Sequence, residues 1–332
     1  MATVLITPES VLLLKDGDHI TLLRDAGFEI AFPNNTLLTR GHLSEEETIE
    51  ELSGADAVIA GGECFTPTIL EGLPKLRVIA RSGVGYDRVD VAAATERGVV
   101  LTITPTANFE CVAEHAIGFL FAVFRETLVS DAHARAGRWP MQPLRAVRGS
   151  TLGIVGLGRI GRAVAIRAKA LRMTVIATEK YPDDAFLSEH GIELVDLDPL
   201  LERSDVVSLH CPLNEETTGL FDRNVFAKMK PGSVLINTAR GQLVVEKDLY
   251  EALRSGHLSA VGLDVFEEEP PSSDNPLFTL ENCVFSPHNG GVDNLSNCDM
   301  PREAAECIVK LHRGEWPEGA VVNDSLKGKW TW

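Results

Sequence analysis

The sequence has little positive charge: 31 Lys and Arg stand against 48 Asp and Glu, a net charge of −17. A duplex nucleic-acid surface is therefore not expected, although one local cationic site for a small anion fits within an acidic protein. No apolar run reaches 18 residues, and no basic segment precedes a long apolar core near the N-terminus. Neither a membrane-spanning helix nor a secretory leader is expected. The six cysteines (Cys64, Cys111, Cys211, Cys283, Cys298 and Cys307) form no C-x-x-C pair. A zinc knuckle or redox dithiol is not expected, no metal site is assigned, and reduced thiols in a cytoplasmic protein are the simplest account. No tandem repeat or low-complexity linker interrupts the chain.

What is present is an alternation of short apolar runs and helix-like stretches over 332 residues, long enough for two domains with separate cores. The most informative stretch is Ser150–Glu179. Leu152-Gly153-Ile154-Val155 suits a buried parallel strand and breaks into Gly156-Leu157-Gly158-Arg159-Ile160-Gly161, a G-x-G-x-x-G turn. Strong helix formers follow from Arg162 to Leu171, then a strand at Thr174–Ala177 with Glu179 just beyond its end. Gly156 permits the tight turn, Gly158 lets backbone approach a pyrophosphate, and Gly161 lets helix and strand pack closely. Amides at the helix start attract phosphates, and Glu179 falls where a carboxylate can accept hydrogen bonds from a ribose. The motif alone is weak; in this setting it predicts dinucleotide binding.

Before that unit, strands are expected at residues 3–7, 28–32, 57–60, 77–80 and 99–103. Helices are expected at Ser10–Gly27 and from Ser44, where Glu47 completes a capping box. The alternation predicts a parallel sheet. Arg81-Ser82-Gly83-Val84-Gly85-Tyr86-Asp87 reads equally well as an anion-binding nest or as a turn that needs positive φ. One long apolar helix is expected from Asn108 to about Ala136, buried between domains or subunits. On it, His115 reads as a packed histidine before a catalytic one. Further strands are expected at 205–210, 233–237, 260–265 and 284–286.

His210, Arg240, Asp264, Glu269 and His288 all fall at or just past strand ends, the edge where open α/β sheets bind ligands. Hydride transfer to or from a carbon bearing oxygen needs a proton to move as well. A histidine suits that role near neutral pH, a carboxylate orients it, and an arginine fork binds a substrate carboxylate. His288, Glu269 and Arg240 supply one of each. Singly, each also reads as a turn residue, an acidic-loop residue or a helix-start charge.

The chain resembles the D-isomer-specific 2-hydroxyacid dehydrogenases over nearly its whole length. The resemblance rests on RSGVGYDRVDV, NFECVAEHAIGFLFAVFR, GIVGLGRIGRAVAIRAKAL, SDVVSLHCPLNEETTGLF, INTARGQLVVEKDLYEAL, GLDVFEEEP and SPHNGG, in the family's order. It implies an α/β fold of two Rossmann-like domains with parallel sheets. An NAD-binding Rossmann domain (105–291) would be inserted into a flavodoxin-like substrate domain (1–104 plus 292–332), with the active site in the cleft. It implies His288 as acid/base, Glu269 as its partner, Arg240 as carboxylate anchor, and the amides of Val84 and Gly85 as further carboxylate donors. Cofactor contacts are implied for Gly156, Gly158, Arg159, Ile160, Gly161, Glu179, His210, Cys211, Pro212, Thr217, Thr238, Ala239, Arg240, Asp264, His288 and Gly290. It also implies a homodimer and a small 2-oxo or 2-hydroxy acid as substrate.

Two positions depart from the family pattern. Glu179 replaces the usual aspartate and still favours NAD, though Lys180 beside it softens that preference. Glu63 lies where phosphoglycerate dehydrogenases tend to place a basic residue, so D-3-phosphoglycerate is the second substrate after glyoxylate- or hydroxypyruvate-like acids. A C-terminal regulatory domain and serine control are not expected. A binding role like that of the dinucleotide-sensing corepressors is the alternative from another class.

Overall fold

The computed structural model describes residues 1–12 and 16–332. In chain order the first elements are β1 (Thr3–Ile6), α1 (Glu9–Leu12), α2 (Asp18–Asp25), β2 (Glu29–Ala31), α3 (Glu45–Leu52), β3 (Ala57–Ala60), α4 (Pro67–Gly72), β4 (Val78–Arg81), α5 (Val91–Glu96) and β5 (Val100–Thr102). Next come α6 (Phe109–Phe124), α7 (Thr127–Arg135), β6 (Thr151–Val155), α8 (Arg159–Ala170), β7 (Thr174–Thr178), α9 (Asp184–His190), β8 (Glu193–Leu194), α10 (Leu197–Arg203) and β9 (Val206–Leu209). The last are α11 (Arg223–Lys228), β10 (Ser233–Asn237), α12 (Glu246–Arg254), β11 (Leu258–Leu263), β12 (Cys283–Phe285) and α13 (Ser296–His312). The chain divides into two compact units, 1–108 with 292–332, and 109–291.

The first unit holds a five-stranded parallel sheet in the order β2-β1-β3-β4-β5. Its central strands are covered on both faces, so every residue of β3 is buried and the strand reads as a continuous apolar run rather than an alternating one. Each buried Val or Ile contributes roughly 1.5–3 kcal/mol. From α13, Ala304, Ala305, Ile308 and Val309 pack into the core with Val4 and Ile6. The capping box is present at Ser44 and Glu47, a pairing worth about 1 kcal/mol.

The second unit is a seven-stranded parallel sheet, β12-β11-β10-β9-β6-β7-β8. Strand order reverses between β6 and β9, the crevice where such sheets bind ligands. Helix α6 lays Phe119, Leu120, Val123 and Phe124 into one core of this unit, beside Ile154, Val164 and Ile236.

Two expected helices are each two. The segment expected to run from Ser10 to Gly27 holds α1 and α2, with residues 13–15 of that expectation outside the described residues. The segment from Asn108 to Ala136 breaks at Arg125–Glu126, where Glu126 adopts a left-handed φ of 45°. The break separates a core helix from α7, which has no residue buried within this chain. Most strands begin or end within a residue or two of expectation.

Candidate active site

The glycine-rich turn lies between β6 and α8. Gly156 has φ 95°, and a Cβ there would lie 2.6 Å from the Cys211 amide nitrogen. A Cβ at Gly161 would collide with the Gly156 carbonyl, whereas one at Gly158 meets open space. Two glycines are therefore required by packing and the third leaves room for a ligand. Gly158 caps α8 without any side-chain hydrogen bond, which leaves the helix's positive end to an anion. Arg159 is exposed and Ile160 half-buried in the first turn.

Glu179, past β7, accepts the Leu157 amide at 2.7 Å and the Tyr181 amide at 2.9 Å. It is thereby tied to the glycine-rich turn itself. Lys180 pairs with Glu216 at 2.9 Å. Past β9, His210 Nε2 meets Ser208 Oγ at 2.8 Å, while Nδ1 is buried without a partner. Burial pushes the His210 imidazole down to about 3 and the Cys211 thiol up to about 11, so both are neutral at physiological pH. Pro212 accepts the Thr217 hydroxyl at 2.7 Å, which closes the turn after them. Past β10, Thr238 Oγ1 is buried without a partner, and Asn237 shapes the turn by accepting the Ala239 amide at 3.0 Å and donating to the Arg240 carbonyl at 2.8 Å. Open space at Gly158 and orphaned polar atoms on His210 and Thr238 fit a dinucleotide along this edge.

Arg240, Glu269 and His288 are drawn together through backbone. A Cβ at Gly241 would collide with the Phe266 backbone, so the Arg240 turn abuts the Phe266–Glu269 loop, and Gln242 donates to the Glu267 carbonyl at 2.7 Å. Glu269 Oε1 accepts the Phe266 amide at 3.1 Å, and Oε2 lies 2.7 Å from His288 Nδ1. With Nδ1–H donated to the carboxylate, Nε2 is the ring nitrogen left to exchange a proton. His288 has a left-handed φ of 51°, a conformation that costs about 1–3 kcal/mol for a side chain of this kind.

Asp264 compensates that strain. Its carbonyl accepts the His288 amide at 2.8 Å, and its carboxylate accepts the Asn289 amide at 3.0 Å and the Gly290 amide at 2.8 Å. Burial alone would push this carboxyl up, but hydrogen bonds from His115, Ser286 and Gly290 hold it below the usual range. Sequence reading gave Asp264 and Gly290 only a cofactor contact and missed both this clamp and Ser286. The only signal was that Ser286 closes the expected strand that leads into His288.

In the first unit, Val84 and Gly85 lie in the turn after β4, where Gly83 has φ 145° and accepts the Thr104 amide at 3.0 Å. Arg81 donates to the Gly85 carbonyl at 3.0 Å and also to the Gly61 carbonyl. Glu63 is fully buried, with Thr7 and the Arg81 guanidinium as its polar neighbours; burial pushes its carboxyl up by more than these lower it. Among the described residues no group of His, Cys, Asp and Glu is placed to hold a metal ion, and no helix is long and apolar enough to cross a membrane.

The NAD-binding domain of the D-isomer specific 2-hydroxyacid dehydrogenases matches residues 117–290, and the chain belongs to that family. It is 40% identical to a glyoxylate reductase of Korarchaeum cryptofilum over 86% of this chain and 88% of that protein. A D-3-phosphoglycerate dehydrogenase of Archaeoglobus fulgidus is 38% identical over 86% of this chain, which spans only 55% of that longer protein. The TT0316 protein of Thermus thermophilus has the same fold, with a TM-score of 0.84 at 35% identity over 96% of this chain and 99% of that one. The protein is accordingly an oxidoreductase that acts on CH–OH donors with a nicotinamide dinucleotide, a D-2-hydroxyacid dehydrogenase.

Proposed function

We propose that this dehydrogenase reduces a small 2-oxo acid of the glyoxylate or hydroxypyruvate kind, with NADH as the preferred cofactor. The carrying observation is the Glu269–His288 pair at 2.7 Å, in a loop packed against the Arg240 turn. Arg240 holds the substrate carboxylate as a fork, and we assign the amides of Val84 and Gly85 to the same carboxylate. When bound, the reduced nicotinamide supplies the hydride that the carbonyl carbon takes up. His288 Nε2 gives a proton to the carbonyl oxygen, and Glu269 keeps the ring oriented for that transfer. Arg240 and His288 together stabilise the charge that develops on this oxygen.

The turn Gly156–Gly161 takes the pyrophosphate, with Arg159 and Ile160 beside it. Cys211, Pro212, Thr217 and Ala239 line the rest of the cofactor's path. Glu179 favours NAD because a carboxylate repels a 2′-phosphate, and the Lys180–Glu216 pair leaves that preference intact. D-3-phosphoglycerate is the second substrate; Glu63 is fully buried and so does not bear on its phosphate. We also infer a homodimer in the cytoplasm. Support for the dimer is exposed apolar surface on the second unit: Leu128 borders a cavity of about 570 Å³, and Phe121, Trp139 and Met141 are exposed as well. The test is NADH and NADPH oxidation with glyoxylate, hydroxypyruvate, pyruvate and 2-oxoglutarate, and NAD reduction with D-3-phosphoglycerate. Turnover of a small 2-oxo acid is expected; turnover of D-3-phosphoglycerate alone would overturn the substrate assignment.

A further inference from the structure

Helix α6 presents Cys111 and His115, four residues apart and so on one face, to the turn that carries His288. Cys111 Sγ donates to the Gly290 carbonyl at 3.2 Å. His115 Nε2 lies 2.8 Å from Ser286 Oγ, and Ser286 donates onward to Asp264 Oδ1 at 2.5 Å. Because the serine proton goes to the carboxylate, the histidine must be the donor in its own hydrogen bond. The same carboxylate accepts the Asn289 and Gly290 amides. Phe119, one turn further along, packs edge-on to the His115 ring at 4.7 Å and lies over Gly262, which fixes the imidazole in place.

We propose that His115 is a positioning residue: with Ser286 it orients the Asp264 carboxylate, which in turn holds the turn bearing His288. The inference rests on the reading of His288 as the acid/base. Every link is a hydrogen bond within one unit, and the strained φ of His288 is what makes a clamp necessary. His115 itself exchanges no proton with the substrate. A glutamine at 115 can donate the same hydrogen bond without acting as an acid, so it separates positioning from catalysis.

The experiment compares wild type with H115A, H115Q and S286A, first by hydrogen exchange of the 286–291 segment in the cofactor-free protein, then by turnover with NADH and glyoxylate. In H115A and S286A, exchange of that segment is expected to rise about tenfold and kcat to fall about tenfold. NADH affinity and substrate KM should stay within about threefold. H115Q should restore most of both, and the H115A/S286A double variant should be no worse than either single one, as expected for residues acting in series. Unchanged exchange and kcat in S286A, additive losses in the double variant, or an H115Q as slow as H115A would each overturn the proposal. Near-normal turnover in His288→Ala with His115-dependent exchange would overturn the reading of His288 and leave the clamp standing.

Discussion

Glu269 spends one carboxylate oxygen on its own loop and the other on the imidazole: Oε1 accepts the Phe266 amide at 3.1 Å while Oε2 meets His288 Nδ1 at 2.7 Å. The loop amide fixes the carboxylate, and the carboxylate fixes the ring, so the exposed His288 imidazole is held in one orientation.

From this pairing, His288→Ala is expected to lower kcat by about 10²–10⁴. Glu269→Gln should lose part of the same factor, with kcat changed more than KM, because orientation matters most in the transition state. Steady-state kinetics with NADH and glyoxylate checks both, and near-normal turnover in His288→Ala would remove the acid/base assignment.

The geometry of the glycine-rich turn was legible in the sequence because it is local: Gly156 and Gly161 lie where packing admits no side chain, and Glu179 accepts an amide of the same turn. Arg240, Glu269 and His288 were suggested by strand ends and by the chemistry that hydride transfer requires, and the family resemblance implied the same roles. The Asp264 clamp was not legible, because its partners come from β12's end and from α6, which are distant in the chain. Nor was the break at Glu126, which enters a left-handed conformation with no glycine or proline to announce it. Glu63 looked like a neighbour of the substrate; it is fully buried, with Thr7 just past β1 and Arg81 as polar neighbours distant in the chain.

Glu63 gives a pH signature in stability. Its native carboxyl is raised by burial, so the folded state binds a proton that the unfolded state has lost, and stability falls as pH rises from about 4.3 through the raised native value. Below that window both states are protonated and nothing is lost. Glu63→Gln should therefore melt at a higher temperature than wild type at pH 8, on the order of 2–4 °C for each kcal/mol relieved. The gap should close near pH 4. Thermal melts across that range test the sign, and a gap of equal size at both ends would contradict it.

Two carboxylates are expected to set the cofactor choice: Glu179 accepts an amide of the glycine-rich turn, and Glu216 pairs with Lys180 at 2.9 Å. Glu179→Ala should raise kcat/KM for NADPH relative to NADH by about tenfold or more, because one repulsive charge is removed. Glu216→Ala releases Lys180 and should move the ratio the same way by only a few-fold, since exposed pairs are weak. Paired kinetics with the two cofactors measures both; a ratio unchanged in Glu179→Ala would show that this carboxylate does not select the cofactor.

Helix α7 has no buried residue, yet Leu128 on it borders the cavity of about 570 Å³ with Ala122, Phe124, Val129, Ala260 and Val284. Phe121, Trp139 and Met141 are also exposed apolar residues of this unit, Trp139 at 79% and Met141 at 92% exposure. Exposed apolar surface marks protein-contact faces, and a second copy related by a two-fold axis would cover the face at Leu128 on both partners at once. Leu128→Asp places a charge in that contact and should convert a dimer to monomer at micromolar concentration, measured by light scattering after size exclusion. NADH affinity should be unchanged, because Leu128 lies outside the groups assigned to the cofactor. A wild type that runs as a monomer, or a Leu128→Asp variant that stays dimeric, would remove this face as the interface.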